Sequence, residues 1–456
     1  MRVFLQAMVL TSLVSASALG QGAQSFVRGE EIPLDARRPE PGGGSVSAVR
    51  VPLRVHQGAG VSERELRETL ADAERAFDLL VHRMGFAAPL PDGTRGGSPA
   101  LDVYVVRALE GGDAVRVEPD ALAYGEPWDR SPAVISLRAG LEPRARLRAL
   151  TEGMAQASLW GSDARAPRAW RVGFAAAIAA RALGEGASEE ALERAAQDPG
   201  AGIFERPWSR PSVARPGAVT ASPVAARSDE RARGGAVFFD WLDARFDNGS
   251  FALWRGLATG AVGWTEGGAS TLSDEPDVFD LLRRLLRSEQ GGLDEFISDF
   301  AVVRGLTGSP GDRFDSVGWR EGPSLAPRPL REVSYRQLPL WAQPETPLAS
   351  TGAAYVSVDT RGLREGTMSV WFHGAPWRRW RVVAVRLDAF DRERGRAPSP
   401  PVNDGEWATA MELDSHDARV MFVIVNLGDE RYDPEHVLPR DGLFALNVVL
   451  RNARNE

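Results

Sequence analysis

The spacing of apolar positions changes several times along this chain, and each change predicts an element. Residues 51–106 read as a strand, a helix and a second strand. Leu66, Leu70, Ala73, Phe77 and Leu80 recur every three or four residues, which predicts a helix from about Glu63 to Met84. Pro91-Asp92-Gly93 is a turn signal. Leu101–Val106 (LDVYVV) and Ala133–Leu137 (AVISL) are β-branched runs of strand length. Two Ala-rich helices are predicted at about 143–160 and 167–184, then a Pro/Ser/Arg-rich loop over 205–232. Helical patterns resume at 234–246 and continue to about Val303.

From residue 351 onward the period is two. Strands are predicted at 353–359, 367–373, 380–388, 407–413, 418–427 and 443–451. Val383, Val385 and Leu387 alternate with Ala384, Arg386 and Asp388, as in a strand with one buried face. Six such strands predict a β-sandwich of about 100 residues. The fold class expected is α+β. A small mixed sheet with helices and a helical subdomain (about 185–306) precedes an all-β sandwich (334–456), with a Gly/Pro-rich linker at 307–333. Internal repeats and heptads are absent.

Residues 1–20 place Arg2 before an apolar run, Val3 to Val14, followed by small residues with Ala18 and Gly20 in the small-x-small pattern. The expectation is a signal peptide cut near Gly20–Gln21, then a mobile leader over 21–50 that contains ArgArgProGluPro and GlyGlyGly. The mature protein is therefore expected outside the cytoplasm, secreted, periplasmic or at the cell surface, with no transmembrane span. The sequon Asn248-Gly249-Ser250 matters only in a glycosylating host.

Composition removes several chemistries. All 54 basic residues are Arg, so Schiff-base and P-loop lysines are excluded. Cys is absent, which excludes disulfides, thiolate metal sites and cysteine nucleophiles. A net charge of −8 argues against a nucleic-acid partner. The five histidines are His56, His82, His373, His416 and His436, and no two share helical spacing. His416 sits beside Asp414 and Asp417, where a metal site is conceivable but a solvated turn is the expected reading.

The strand LDVYVV leads to the strand AVISL, then to a helix reading LRALTEGMAQASLW, then to a second helix opened by ProArgAlaTrpArgValGlyPheAla. This order resembles the zincin metallopeptidases, in particular the secreted gluzincin-like (peptidase MA-like) branch, over residues 50–305. In that family the first helix carries His-Glu-x-x-His and the second supplies the third zinc ligand from Trp-Leu-x-Glu-Gly-Phe/Leu-Ala. Two His four apart on one helix face can share a zinc, and the adjacent Glu polarises its water.

Set against that motif, the two His positions hold Thr151 and Ala155, and the third-ligand position holds Val172. Only Glu152, at the general-base position, keeps its residue type. The second motif is also one residue shorter than the family's spacing. The resemblance thus implies a pseudopeptidase without cofactor or metal, whose role is binding or scaffolding toward an extracellular protein or glycan. As a buried carboxylate, Glu152 needs a partner, and Arg171 or Arg148 is expected to supply it, with Glu152–Arg171 locking the two helices.

Two alternatives remain open at this level. One is a surface glycan-binding or adhesion protein working through the β-sandwich, with Trp377, Arg378, Arg379 and Trp380 in the basic-aromatic run WRRWR as the binding surface. The same run also suits a turn leading into a strand. The other is an active hydrolase with a displaced or non-zinc site. Asp240 and Asp243, three apart in FFDWLDARF, then supply paired carboxylates, or else form a solvated face opposite Phe238, Phe239 and Leu242.

Overall fold

A computed structural model describes residues 38–109, 112–120, 130–163, 166, 168–185, 199–200, 202, 232–246, 249–260, 278–288, 291–306, 331–333, 337–344, 347–361, 363, 366–402, 404–428 and 442–452. The predicted signal peptide, most of the predicted leader and most of the predicted linker lie outside these residues, as do residues 205–231 and His436. The chain is α+β, with a mixed sheet and helices followed by a two-sheet β unit.

The first sheet contains β1 (Ser45–Ser47), β2 (Leu53–Gln57), β3 (Leu101–Val106), β4 (Val115–Pro119) and β5 (Ala133–Arg138), in the order β1-β2-β3-β5-β4. β2, β3 and β5 run parallel, and both edge strands run antiparallel to their neighbours. Leu53, Val55, Val103, Val105, Ile135 and Leu137 enter one hydrophobic core. β1 corrects the leader's predicted boundary: residues from Arg38 onward lie along the sheet, with the Gly42 N–H donating to Gln57 O and the Gln57 N–H to Gly44 O.

Helix α1 (Glu63–Phe77) starts at Ser62, whose hydroxyl accepts from the Glu65 N–H, and Asp78–Arg83 extend it as a π-helical turn. Helices α2 (Pro143–Trp160) and α3 (Arg168–Ala182) follow as predicted. α2 begins with Pro143, whose missing N–H costs nothing in the first turn. The buried Arg146 joins α2 to α1 through Asp72 (2.7 Å) and Glu68 (3.3 Å). Gly153 lets α2 settle on the sheet, since a Cβ there would sit 3.0 Å from Val115 and 3.2 Å from Ile135. Helices α4 (Ala236–Phe246), α5 (Gly249–Gly260), α6 (Val278–Leu285) and α7 (Gly292–Gly305) complete the helical layer.

The C-terminal unit has nine described strands where the sequence predicted six. They are β6 (Arg331–Val333), β7 (Leu340–Ala342), β8 (Ala353–Asp359), β9 (Gly366–Gly374), β10 (Arg379–Leu387), β11 (Glu393–Pro398), β12 (Glu406–Leu413), β13 (Arg419–Gly428) and β14 (Phe444–Asn452). One sheet has the order β11-β10-β13-β8-β6, the other β12-β9-β14-β7, and their inner faces share a core that includes Trp380, Phe372 and Phe422. β6 lies inside the predicted linker and pairs parallel with β8.

Helix α7 joins the two units. Phe296, Phe300 and Val303 enter the core of the helical layer. Ile297, Ala301, Val302 and Leu306 pack on Tyr355, Val383, Val385, Met421 and Val423, on the outer face of the β11-containing sheet. β10 therefore buries both of its faces rather than one: α7 covers the face of Val383, Val385 and Leu387, and the Ala384 face, expected to reach solvent, enters the core between the two sheets. Asp294 pairs with Arg379 at 2.6 Å, Glu295 with Arg381, and the Tyr355 hydroxyl donates to Ala301 O at 2.8 Å.

Truncating Phe300 removes a buried ring from the joint helix. Phe300→Ala is expected to cost about 3–5 kcal/mol in urea-unfolding free energy. Asp294→Ala, which breaks a partly exposed pair, is expected to cost about 1 kcal/mol or less.

Candidate functional site

The site is assembled where α2, the start of β4 and the turn before α4 meet. Glu152 lies in the second half of α2 and is 6% exposed. Its described partners are Arg233, whose Nε donates to Glu152 Oε1 at 3.0 Å, and Gln156, one turn on, at 3.4 Å. Arg233 also donates from Nη1 to Asp113 Oδ1 at 3.1 Å, just before β4. One guanidinium thus bridges two buried carboxylates from separate elements. Glu152 first, and Asp113 with it, hold the Arg233 guanidinium charged well above the ordinary arginine range despite its burial.

Local sequence explains how Arg233 arrives there. A Cβ on Gly173 would meet Ala232 O at 2.8 Å and Gly235 Cα at 3.1 Å. A glycine at this position in α3 lets the 232–235 turn lie against the helix, and that turn carries Arg233 to Glu152.

The partner expected from the sequence is thereby corrected. Arg171 does not pair with Glu152. Its Nη1 donates to Ala166 O at 2.8 Å, and its guanidinium lies 3.6 Å from the centre of the Trp160 ring. It still fastens α3 to α2, through the indole rather than the carboxylate. Arg148 pairs with Glu185 at 3.0 Å. Both predicted partners lie close to Glu152 in sequence, whereas Arg233 lies 81 residues away and carries no local signal.

The positions that the resemblance assigns to metal ligands are closed. Thr151 is wholly buried and donates its hydroxyl to Leu147 O at 2.7 Å. Ala155 is 0% and Val172 4% exposed. Among the described residues no group of three or more His, Asp or Glu is arranged to hold a metal ion.

The other predicted residues are dispersed. Of the run Trp377-Arg378-Arg379-Trp380, only Trp377 is open, at 65%. Trp380 is fully buried between the two sheets, with its indole N–H donating to Ala375 O at 3.1 Å. Arg378 is buried and Arg379 is engaged by Asp294. The run is a joint between units, not a continuous binding surface. The Asp414 carboxylate accepts from the His416 N–H in an exposed turn, while Asp417 pairs with Arg386 and Arg394.

Asp243 accepts from the Ser250 N–H and hydroxyl, both at 2.7 Å, and from Arg181 at 3.0 Å, tying α4 to α5 and α3. Asp240 is pushed up to about 7, by burial first and by Asp243 second, against the pull of Arg181 and Arg148.

No family model matches the chain, and no curated protein matches it. Similar solved structures include the pre-peptidase C-terminal domain of a collagenase from Bacillus anthracis, at 6% identity over 26% of this chain and 96% of that one, with TM-score 0.18. The mitogen from Yersinia pseudotuberculosis matches at 12% identity over 26% of this chain and 92% of that one, also at TM-score 0.18. The periplasmic inhibitor of g-type lysozyme from Aeromonas hydrophila matches at 12% identity over 27% and 98%, again at TM-score 0.18. Scores this low carry no argument about fold or function.

Two outcomes follow from this geometry. Arg233→Ala leaves Glu152 and Asp113 buried without their cation, and is expected to cost about 3–5 kcal/mol in unfolding free energy. The triple variant Arg233→Met with Glu152→Gln and Asp113→Asn, which neutralises both carboxylates, should recover most of that loss. For Asp240, the folded state holds its proton to a higher pH than the unfolded state does. Between about pH 4 and pH 7 the unfolded chain therefore binds fewer protons, and stability falls as pH rises. Asp240→Asn is expected to flatten this slope and to raise the thermal midpoint at pH 8 more than at pH 4.

Proposed function

We propose that this chain is a non-catalytic protein on a zincin-like scaffold, acting outside the cytoplasm by binding an extracellular protein or glycan. The observation that carries this reading is the Arg233 bridge between Glu152 and Asp113. It supports inactivity because a guanidinium can neutralise the site but has no open coordination position at which to bind and polarise a water. The buried, non-coordinating side chains of Thr151, Ala155 and Val172 point the same way.

The scaffold part of the proposal rests on order and placement. A parallel strand runs into a helix whose glutamate faces the end of an antiparallel edge strand, and a second helix opening with Trp170 packs beside it. The extracytoplasmic part rests on the N-terminal sequence, and no helix among the described residues is long and apolar enough to cross a membrane. A binding role has a concavity available. A cleft of about 790 Å³ at the junction of the two units is lined by Arg245, Phe246, Asp299, Arg381 and Pro398 among others, a size that suits a small ligand or a side chain of a partner.

Elemental analysis of the purified chain at known concentration tests the proposal, with a peptidase assay run with and without chelator. The expected result is near-zero zinc and no chelator-sensitive cleavage. One tightly held zinc per chain would overturn the reading and return an enzyme to first place.

A further inference from the structure

The face of the first sheet opposite its helices is polar, yet its central residues are buried. Its strands turn His56, Asp102 and Tyr104 to this side, each 5% exposed or less. His56 Nε2 meets Asp102 Oδ1 at 2.7 Å, and the His56 ring stacks on Tyr104 at 4.3 Å. Asp92, from the Pro91-Asp92-Gly93 turn, and Asp120, just after β4, converge on the same place. The side chains of Asp92, Asp102 and Asp120 are 3%, 0% and 1% exposed.

The occupant of this pocket is the guanidinium of Arg38. Its Nη1 donates to Asp102, and its Nη2 donates to Asp92 and to Asp120. Tyr104 contacts the same group, and Arg95 donates to the other oxygen of Asp120. Gly96 lets the 92–99 loop close over the pocket, because a Cβ there would sit 1.7 Å from Asp102 Oδ2.

The pocket is larger in hydrogen-bonding capacity than its occupant satisfies. Asp92 Oδ1 and Arg38 Nε are both buried without a hydrogen-bond partner. Burial pushes the Asp92 carboxyl above its ordinary range, with Arg38 offsetting only part of that. Burial also pushes Asp102 upward, but His56 and then its other neighbours outweigh it and leave that carboxyl below the ordinary range. Three buried carboxylates facing the guanidiniums of Arg38 and Arg95 are costly unless the cations are well matched. A planar fork of donors reaches three carboxylates at once, as a compact ammonium does not.

We propose that His56, Asp92, Asp102, Tyr104 and Asp120 form a guanidinium-binding site of which Arg38 is the tethered occupant, exchangeable with an arginine side chain of another polypeptide. Arg38 leads into β1, a three-residue edge strand, and the segment from Gly42 to Ala48 is held to the sheet edge by backbone hydrogen bonds to Gln57 and Leu53 and by Arg54 on Ser45, while Arg38 itself reaches the pocket through its side chain. Withdrawal of Arg38 leaves a preformed acidic socket on a rigid sheet, open to an arginine from outside. This site is separate from the Glu152–Arg233 bridge, and it stands or falls independently of the proposed function.

The test uses the full chain as wild type, Arg38→Ala and Arg38→Gln. Calorimetric titration with methylguanidinium, methylammonium, Gly-Arg-Gly and Gly-Lys-Gly is combined with thermal unfolding. Both variants are expected to unfold several degrees below wild type. Methylguanidinium at ten times its dissociation constant should restore part of that loss, by stabilising the state it binds. Gly-Arg-Gly should bind either variant at least tenfold more tightly than Gly-Lys-Gly, and should bind wild type at least tenfold more weakly than the variants. Adding Asp102→Asn to Arg38→Gln should abolish the effect. Equal responses to methylguanidinium and methylammonium would overturn the proposal. So would equal binding by wild type and variants, or binding of calcium or zinc by the variants in preference to methylguanidinium.

Discussion

Helix α7 closes two cores at once, and the tertiary structure depends on that double burial. Phe296, Phe300 and Val303 project to one side at helical spacing, and Ile297, Ala301 and Leu306 to the other. The outer face of the β11-containing sheet would otherwise expose Tyr355, Val385, Val423 and Val425 to water. Charge fixes the register of this contact. Asp294 and Glu295 lie in the first turn of α7, where the helix dipole favours acids, and there they meet Arg379 and Arg381 of β10. The two units therefore share a hydrophobic joint, and the cleft at their junction is lined by residues of both.

The second recurring device is arginine as a buried cation. The chain has no lysine, and its guanidiniums do work that a point charge cannot. Arg233 bridges two carboxylates, Arg146 two more, and Arg38 three. Arg171 is held face-on by Trp160. Each guanidinium has several donors fixed in one plane, so a single side chain can satisfy acceptors from different elements. At Glu152 the guanidinium neutralises a carboxylate that burial would otherwise leave uncompensated.

Much of the fold was legible because its elements are long and periodic. The helices at 63–77, 143–160 and 168–182 and the strands at 101–106, 353–359 and 419–428 follow their predicted spans closely. The misses have separate physical causes. β1, β6 and β7 are three residues each, too short to show a period. β11 reads ERGRAP and carries no apolar face, since it is an edge strand with its charges outward. Val115 and Val117 do alternate with Arg116 and Glu118 in β4, but over five residues between Asp113 and Pro119.

The sequence by itself determined the α+β class, the order of the elements, the absence of metal-binding side chains at Thr151, Ala155 and Val172, and the need of Glu152 for a cation. Those properties belong to residue types and to spacings within one element. Only the tertiary structure decided which cation answers Glu152, which side of WRRWR meets α7, and that Arg38 fills a socket of three aspartates. Those choices depend on pairings 81, 85 and 54–82 residues apart, set by backbone approach at Gly173 and by sheet register. Local pattern constrains neighbours along a helix or strand, whereas long-range ion pairs are selected by packing, which places one arginine among many against a given carboxylate.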